Sequence, residues 1–221
     1  MSWLIDSLTS SLGRKVLMAL TGLFLILFLA VHLSGNLQLL KGDEGRQFNI
    51  YAEFMTSNPL IKVISIGNFF FILLHIVTSV ILNRRNKKAR PVGYAVSPTQ
   101  STWASRNMGV LGFLILIFLI IHLKGFWYEM KFGSVETTDY DAKDLYAVVK
   151  AAYSQLWYVA IYVVSMAVLA FHLSHGFQSA FQTFGLNHIK YSPIIKFVGA
   201  AFAIVVPALF ALIPIWMFLN S

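Results

Sequence analysis

The chain has 221 residues, of which 57% are hydrophobic and 12% are charged, and its mean hydropathy is +0.70. A soluble domain of this size cannot bury so much apolar surface, so the composition excludes a soluble globular fold. The absence of cysteine excludes disulfides and metal centres held by thiolates, and the net charge is +8.

Five apolar segments follow one another along the chain, each long enough to cross a hydrocarbon core of about 30 Å. We predict them near residues 15–40, 60–83, 107–130, 153–181 and 193–219. Each must be helical, because a backbone that faces lipid has to satisfy its own hydrogen bonds. The first segment is too long for a signal peptide, and residues 1–12 have the pattern of a short helix on the membrane surface. The expected fold class is an all-α integral membrane protein, with residues 1–221 forming one bundle of five transmembrane helices.

The basic residues are distributed unequally between the two ends of these segments. One side of the membrane receives the N-terminus, the second loop and the fourth loop, which carry Arg14, Lys15, Arg84, Arg85, Lys87, Lys88, Arg90, Arg106, Lys190 and Lys196 against a single carboxylate, Asp6. On the other side, Lys and Arg residues are balanced by carboxylates. The positive-inside rule therefore predicts a cytoplasmic N-terminus and a C-terminus outside. The net charge is interpreted as a topology signal, and nucleic acid is not an expected partner.

Each of the first four segments contains a histidine past its middle: His32, His75, His122 and His172. A titratable ring inside a bilayer is costly, so even one such residue suggests a function. The first and third segments share the pattern Phe-Leu-x-x-His-Leu-x-Gly, and each has a glycine ten residues before its histidine, Gly22 and Gly112. Ten residues are nearly three helical turns, so we expect this glycine to let a flat ring or a neighbouring helix approach the histidine face.

Distance along each helix predicts how the histidines pair. His32 lies about 26 Å beyond Lys15 and His122 about 24 Å beyond Arg106, which places both near the outer side. His75 and His172 lie on helices of the opposite direction, about 14 Å from their inner ends. Pairing at equal depth is possible only for His32 with His122 and for His75 with His172. The two pairs are expected to differ in depth by about 10–15 Å.

Two depth-matched histidine pairs, in a chain without cysteine, are how a membrane protein holds two b-type haems. A single intramembrane histidine often only hydrogen-bonds a neighbouring helix or lines a polar cavity, but that alternative does not predict matched pairs. A metal transporter also uses intramembrane histidine. It normally adds Asp, Glu or Met ligands nearby, and the five segments hold no buried carboxylate.

Several stretches extend this pattern into a resemblance that covers most of the chain, from Ser10-Ser11-Leu12-Gly13-Arg14-Lys15 through the fourth segment. The most specific are Phe171-His172-Leu173-Ser174-His175-Gly176-Phe177 and Thr183-Phe184-Gly185. The sequence resembles the dihaem cytochrome b anchors of succinate dehydrogenases and fumarate reductases, in the form with five helices on one polypeptide. In that family the first four helices supply one ligand each, paired first with third and second with fourth, which agrees with the pairing from depth.

The resemblance implies a membrane subunit that passes electrons between an iron–sulfur subunit and a quinone, commonly menaquinone. It implies an inner haem at His75 and His172 and an outer haem at His32 and His122. A flavoprotein subunit would carry out all of the succinate chemistry, and this chain would be the quinone-reactive subunit. The implied location is the bacterial cytoplasmic (inner) membrane, among lipid, with the iron–sulfur and flavoprotein subunits as partners.

Other residues are candidates for secondary roles, each with a simpler interpretation. His175, Arg14 and Lys124 are candidate contacts to haem propionates, as are Lys15, Arg84 and Arg85. The simpler roles are positive-inside anchoring for the inner cations and snorkelling to the interface for Lys124. A family carboxylate near the start of the second helix favours Glu53 as the group that exchanges protons with quinone, with Glu129 as the alternative. A solvated surface glutamate is the simpler interpretation of both.

Two other functions compete with this interpretation. The chain could anchor another quinone-linked dehydrogenase, for formate or hydrogen, although such anchors often place two ligands on one helix. It could also be a haem-free transporter or assembly protein. Spectra of the purified protein and the identity of co-purifying subunits distinguish the three.

Overall fold

The computed structural model describes residues 6–7, 9–89 and 101–220. Five long helices dominate these residues. They are α1 (Ser11–Asn36, extended by a 3₁₀ turn, Leu37–Leu40), α2 (Pro59–Ala89), α3 (Trp103–His122), α4 (Leu156–Thr183) and α5 (Ser192–Leu219). The path of α3 continues through a π-helical turn, Leu123–Tyr128, into a last α-helical turn, Glu129–Phe132. No β-strand occurs in the described residues, which contain only an isolated bridge between Thr137 and Lys143.

All five helices are long and apolar enough to cross a membrane, which confirms the predicted number of such helices. Their outward faces carry large exposed hydrophobic side chains, among them Leu27, Ile66, Phe113, Val164 and Phe197. In water a surface of this kind would be strongly unfavourable, whereas lipid solvates it without cost. The described residues therefore form an all-α fold with five helices suited to span a membrane.

The observed helix ends differ from the predicted ones where the sequence offers local signals. α1 begins earlier than predicted because the Ser10 side chain accepts a hydrogen bond from the Gly13 amide and caps the helix. Leu12, which the sequence placed in a surface helix, therefore belongs to α1, and residues 1–5 and 8 of that helix lie outside the described residues. α2 runs six residues past its predicted end, since Arg84 to Lys88 contains good helix formers and no breaker.

The first four helices form a closed ring in which α1 packs on α2, α2 on α3, α3 on α4 and α4 on α1. Side-chain contacts show that neighbouring helices are antiparallel. On α1 and α2, Thr21 contacts His75 while Phe24 contacts Phe71. On α2 and α3, Phe69 contacts the ring of Trp127 near one end of the bundle, and Asn83 lies beside Gly109 near the other. Helices α1 and α3 are thus parallel diagonals, as are α2 and α4.

α5 lies outside this ring, against α4 and, to a smaller extent, α1. Gly199 allows the close approach, because a side chain there would overlap the ring of Phe177 on α4. Pro207 and Pro214 interrupt its backbone hydrogen bonding but are buried in the contact. α5 carries no histidine and acts as a packing helix.

Two shorter helices cover one end of the bundle, which we call the cap end. They are the first cap helix, Arg46–Ser57, and the second cap helix, Leu145–Tyr153. Asn49, fully buried, joins them: its amide donates to the Asp144 carboxylate and to the Tyr140 hydroxyl, and it accepts from the Tyr146 amide. Residues 131–150 contain the carboxylates Glu136, Asp139, Asp141 and Asp144, a sequence pattern that is typical of an exposed acidic loop. Part of it is instead a helix that Asp144 caps, which a reading of net charge alone does not reveal.

We call the opposite end of the bundle the basic end. The start of α1, the end of α2, the start of α3 and the α4–α5 connection meet there, with Arg14, Lys15, Arg84, Arg85, Lys87, Lys88, Arg106, Lys190 and Lys196. Arg90, which the sequence assigned to this group, lies outside the described residues. The charge asymmetry of the sequence is therefore an asymmetry between the two ends of the folded bundle.

Candidate functional site: two histidine pairs

The first histidine pair lies toward the cap end, and we call it the cap-end pair. The ring centres of His32 on α1 and His122 on α3 are 5.7 Å apart, with the ring planes at 89°. Phe28, Phe118, Phe126, Tyr162 and Phe210 surround the two rings at centre distances from 5.2 to 6.2 Å. The pair is thus enclosed in an apolar aromatic shell.

The second pair, the basic-end pair, joins the other diagonal of the ring. The ring centres of His75 on α2 and His172 on α4 are 6.4 Å apart, with the planes at 65°. Among the described residues, neither diagonal helix pair is closely packed, so both ring pairs meet across the middle of the bundle. The residues that depth assigns to one pair are therefore neighbours in space.

The spacing of each pair fits two imidazoles that bind opposite sides of one metal atom. With about 2 Å from ring nitrogen to metal, the ring centres of such ligands stand about 6 Å apart. The described residues contain no group of three or more His, Cys, Asp or Glu side chains suited to one metal ion. Two axial imidazoles are sufficient where a porphyrin supplies the remaining ligands, so the donor set of each pair fits a b-type haem.

The two pairs are separated along the bundle axis. Thr21, which contacts His75, precedes His32 by eleven residues of α1, or about 16 Å. On α3, Gly112 lies beside His172 and precedes His122 by ten residues, or about 15 Å. The separation is at the upper end of the 10–15 Å that the sequence predicted.

His75 is held by a hydroxyl from the neighbouring helix. Thr21 Oγ1 lies 3.0 Å from His75 Nδ1 and 2.9 Å from the Leu17 carbonyl oxygen. Because Thr21 is completely buried, its hydroxyl has no water to bond. His172 has no corresponding partner, since its Nδ1 is buried without a hydrogen bond.

In the cap-end pair, too, only one of the two histidines is hydrogen-bonded to another helix. His122 Nδ1 lies 3.3 Å from the hydroxyl of Tyr162 on α4. His32 Nδ1 has only the side chain of Asn36, one turn away on its own helix, at 3.4 Å. His75 and His122 make these contacts through Nδ1, which leaves Nε2 as the nitrogen available to a metal. The amide nitrogen of Asn36 can only donate, so it does not hold a proton on His32 Nδ1.

The glycines ten residues before His32 and His122 do not lie beside those histidines. A Cβ atom on Gly22 would stand 3.6 Å from Cε1 of His75, and one on Gly112 would stand 3.9 Å from Cε1 of His172. Each glycine therefore gives room to a histidine of a neighbouring helix and not to the histidine of its own helix. Each glycine shares a helix face with the histidine of its own helix, but the two residues are ten positions apart along that face. Each glycine therefore borders the other histidine pair.

The glycines three residues after His32 and His122 admit tyrosines above the cap-end pair. A Cβ atom on Gly35 would overlap the ring of Tyr51 in the first cap helix, and one on Gly125 would overlap the hydroxyl of Tyr158. Gly125 also lies in the π-helical turn that follows His122. Turns of this kind are frequent at functional sites.

Behind His122, three buried tyrosines pack together: Tyr153, Tyr158 and Tyr162. Burial, with a smaller contribution from Tyr158, raises the pKa of Tyr153 above its usual value. The Tyr153 phenol in the second cap helix is therefore uncharged at neutral pH. The cluster extends the apolar shell of the cap-end pair to the cap helices.

Arg14 has the environment that an anion contact requires. It lies on the same face of α1 as Thr21, two turns or about 10 Å nearer the basic end. Its Nη1 is buried without a hydrogen-bond partner. A buried, unpaired guanidinium nitrogen is costly unless an anion meets it.

The other candidate residues show no hydrogen bond or ion pair to the four histidines among the described contacts. Lys124 is 68% exposed in its side chain and forms an ion pair of 3.1 Å with Glu129, the alternative quinone group. Glu53 is half-buried in the first cap helix, not in a loop before α2 as the sequence suggested. Arg84 and Arg85 are exposed at the basic end, and His175 is half-buried one turn from His172.

Sequence reasoning did not find Thr21, Tyr162 or Asn49. Thr21 carries a weak signal, because a hydroxyl residue in the middle of an apolar helix usually bonds the preceding turn, where it also meets neighbouring helices. Tyr162 belongs to a run of aromatic residues that looks like ordinary packing. The neighbouring helix that each of these three side chains contacts is decided by the tertiary structure.

Comparisons with protein families, with curated proteins and with solved structures found no match to this chain.

Proposed function

We propose that this chain is the membrane anchor and electron-transfer subunit of a succinate:quinone oxidoreductase and binds two b haems. The observation that carries the proposal is the presence of two histidine pairs on the two diagonals of one helical ring. Their ring centres lie 5.7 and 6.4 Å apart, and about 15 Å of helix separates them. The sequence resemblance adds the identity of the complex.

His32 and His122 would hold one haem, and His75 and His172 the other. Bound haem would supply one-electron oxidation and reduction within an otherwise redox-inert chain. The protein's own residues would orient the imidazoles through Nδ1 and exclude water from both levels. At the basic end, the unpaired Nη1 of Arg14 would meet a propionate.

Each end of the bundle has a separate proposed role. The positive-inside rule assigns the basic end to the cytoplasm, where its cations would attract an acidic face of the iron–sulfur subunit. The flavoprotein subunit would bind to that subunit and carry out the succinate chemistry. The membrane would be the bacterial cytoplasmic membrane, with the C-terminus outside.

Quinone, with menaquinone as the expected type, would react at the cap end, within reach of the cap-end pair. Glu53 is the proposed group that exchanges protons with it, because it is a half-buried carboxylate in the first cap helix. The Glu53→Gln variant should slow quinone turnover severalfold while both haem spectra stay unchanged. Turnover equal to that of the native protein would remove Glu53 from the proposal.

The central experiment is to purify the complex from its native membrane and to record reduced-minus-oxidised spectra with a haem assay. We expect a b-type absorption band, two haems per chain and co-purifying flavoprotein and iron–sulfur subunits. Two haems with formate- or hydrogen-oxidising partners would keep the haem sites and replace the proposed complex. A chain that contains no haem would overturn the proposal and favour a transporter or assembly protein.

A further inference from the structure

One histidine of each pair is hydrogen-bonded to a different helix, and the other is not. His75 on α2 contacts the Thr21 hydroxyl of α1, and His122 on α3 contacts the Tyr162 hydroxyl of α4. Their partners, His172 and His32, have respectively no Nδ1 hydrogen bond and a long contact within one helix. In both pairs, therefore, only one histidine is hydrogen-bonded to another helix. The partner is a threonine in one pair and a tyrosine in the other.

The surroundings of Thr21 favour one direction for its hydrogen bond to His75. A threonine hydroxyl has one hydrogen, and the carbonyl oxygens of Leu17 and Met18, at 2.9 and 3.1 Å, can only accept it. When the Thr21 hydroxyl donates to one of these carbonyl oxygens, its own oxygen accepts a hydrogen bond from His75 Nδ1–H. This tautomer leaves the lone pair of His75 on Nε2.

Tyr162 can act in the same way on His122. Its hydroxyl lies 3.3 Å from His122 Nδ1 and 3.5 Å from the hydroxyl of Tyr158. If Tyr162 donates to Tyr158, its oxygen accepts from His122 Nδ1–H, and Nε2 again carries the lone pair. Tyr162 is only 4% exposed, so water does not compete for these bonds.

We infer that Thr21 and Tyr162 are positioning residues, each of which fixes the Nδ1–H tautomer and the ring orientation of one histidine in each pair. As an inference about haem ligands, it rests on the proposed function. Hydrogen bonding at the second ring nitrogen raises the basicity of an imidazole ligand. A more basic ligand favours oxidised iron, so each hydroxyl lowers the reduction potential of its own centre.

The test uses near-isosteric variants that remove one hydroxyl at a time: Thr21→Val and Tyr162→Phe. Matched controls are Thr183→Val, whose hydroxyl bonds only the Ser179 carbonyl, and Tyr153→Phe, whose ring packs on Tyr162. Redox titration and electron paramagnetic resonance of the purified complex separate the two b centres. His75→Ala and His122→Ala identify which signal belongs to which pair.

We expect Thr21→Val to raise the potential and change the resonance of the basic-end centre alone. Tyr162→Phe should do so for the cap-end centre alone, and the controls should change neither. A purely structural role would instead reduce haem content or affect both centres together. The inference is overturned if both variants keep native potentials, or if either one shifts both centres equally.

A second measurement separates failure of this inference from failure of the proposed function. In the full chain produced without haem, ¹⁵N chemical shifts of labelled histidine rings report the tautomers directly. The inference requires Nδ1–H at His75 and His122, and loss of that preference in Thr21→Val and Tyr162→Phe respectively. An Nε2–H tautomer in the native sequence overturns it whether or not the chain binds haem.

Discussion

The cap-end and basic-end pairs each consist of two histidines, but their surroundings differ. Aromatic rings from four helices enclose His32 and His122. By contrast, the basic-end pair is bordered by Gly22 and Gly112, and its helix α2 buries only two side chains, Asn68 and Thr78. Bulky aromatic side chains therefore surround the cap-end pair, whereas glycines border the basic-end pair. Two histidine pairs with similar ring separations thus form in one bundle in different surroundings.

The strongest test of this comparison is to remove the histidines one at a time. We expect His32→Ala and His122→Ala to abolish the same b centre, and His75→Ala and His172→Ala to abolish the other, because under the proposed function the two rings of each pair would hold one haem. Haem content should fall from two per chain to one. Spectra and a haem assay on the purified complex provide the measurement. Loss of the same centre in His32→Ala and in His75→Ala would contradict the pairing.

The basic-end pair, which Gly22 and Gly112 border, should be sensitive to a larger side chain at Gly22. A Cβ atom on Gly22 lies at an ordinary contact distance from His75, so Gly22→Ala should be tolerated, whereas Gly22→Leu should displace the ring. We expect Gly22→Leu to lose most of the basic-end centre and to retain the cap-end centre. Gly67→Leu is the matched control, since a side chain there meets nothing within 4 Å. Equal losses in the two leucine variants would show that the effect is not local.

Loosening the contact between the two cap helices should destabilise the cap-end pair and not the basic-end pair. Asn49→Ala removes three buried hydrogen bonds and leaves the Tyr146 amide without a partner, which should lower the free energy of unfolding by about 2 kcal/mol. In a thermal melt followed at both haem bands, the cap-end band should be lost first. The exposed Gln47→Ala on the same helix should change neither transition. Simultaneous loss of both bands would indicate that the bundle unfolds as one unit.

The smallest expected effect is at the exposed ion pair between Lys124 and Glu129. Such pairs contribute about 0–1 kcal/mol, so Lys124→Gln and Glu129→Gln should have similarly small effects on stability. Neither should alter the spectrum of the cap-end centre. A spectral change in Lys124→Gln alone would restore the propionate role that the sequence suggested for Lys124. The comparison of the two variants therefore separates ion pairing from haem contact.

Much of the fold follows from local sequence signals. Long apolar runs predict helices because a membrane leaves the backbone no other way to bond, and the five helices are confirmed. The helix ends follow less directly from the apolar runs. At Ser10, for example, a side-chain cap starts α1 before its apolar run. The cap helices were missed because their sequences are short and mixed in polarity. Asn49 joins the two helices by hydrogen bonds, and Phe48, Val149 and Tyr153 pack in the core.

The sequence by itself determined helix number, charge asymmetry and the depth of each histidine, because rise per residue converts spacing along a chain directly into distance along a helix. Rotation of each helix and the choice of its neighbours do not follow from spacing. Only the tertiary structure decided that Gly22 faces His75 and that Thr21 and Tyr162 reach histidines on other helices. These contacts depend on how side chains from four helices pack together, and packing is a property of all four surfaces at once.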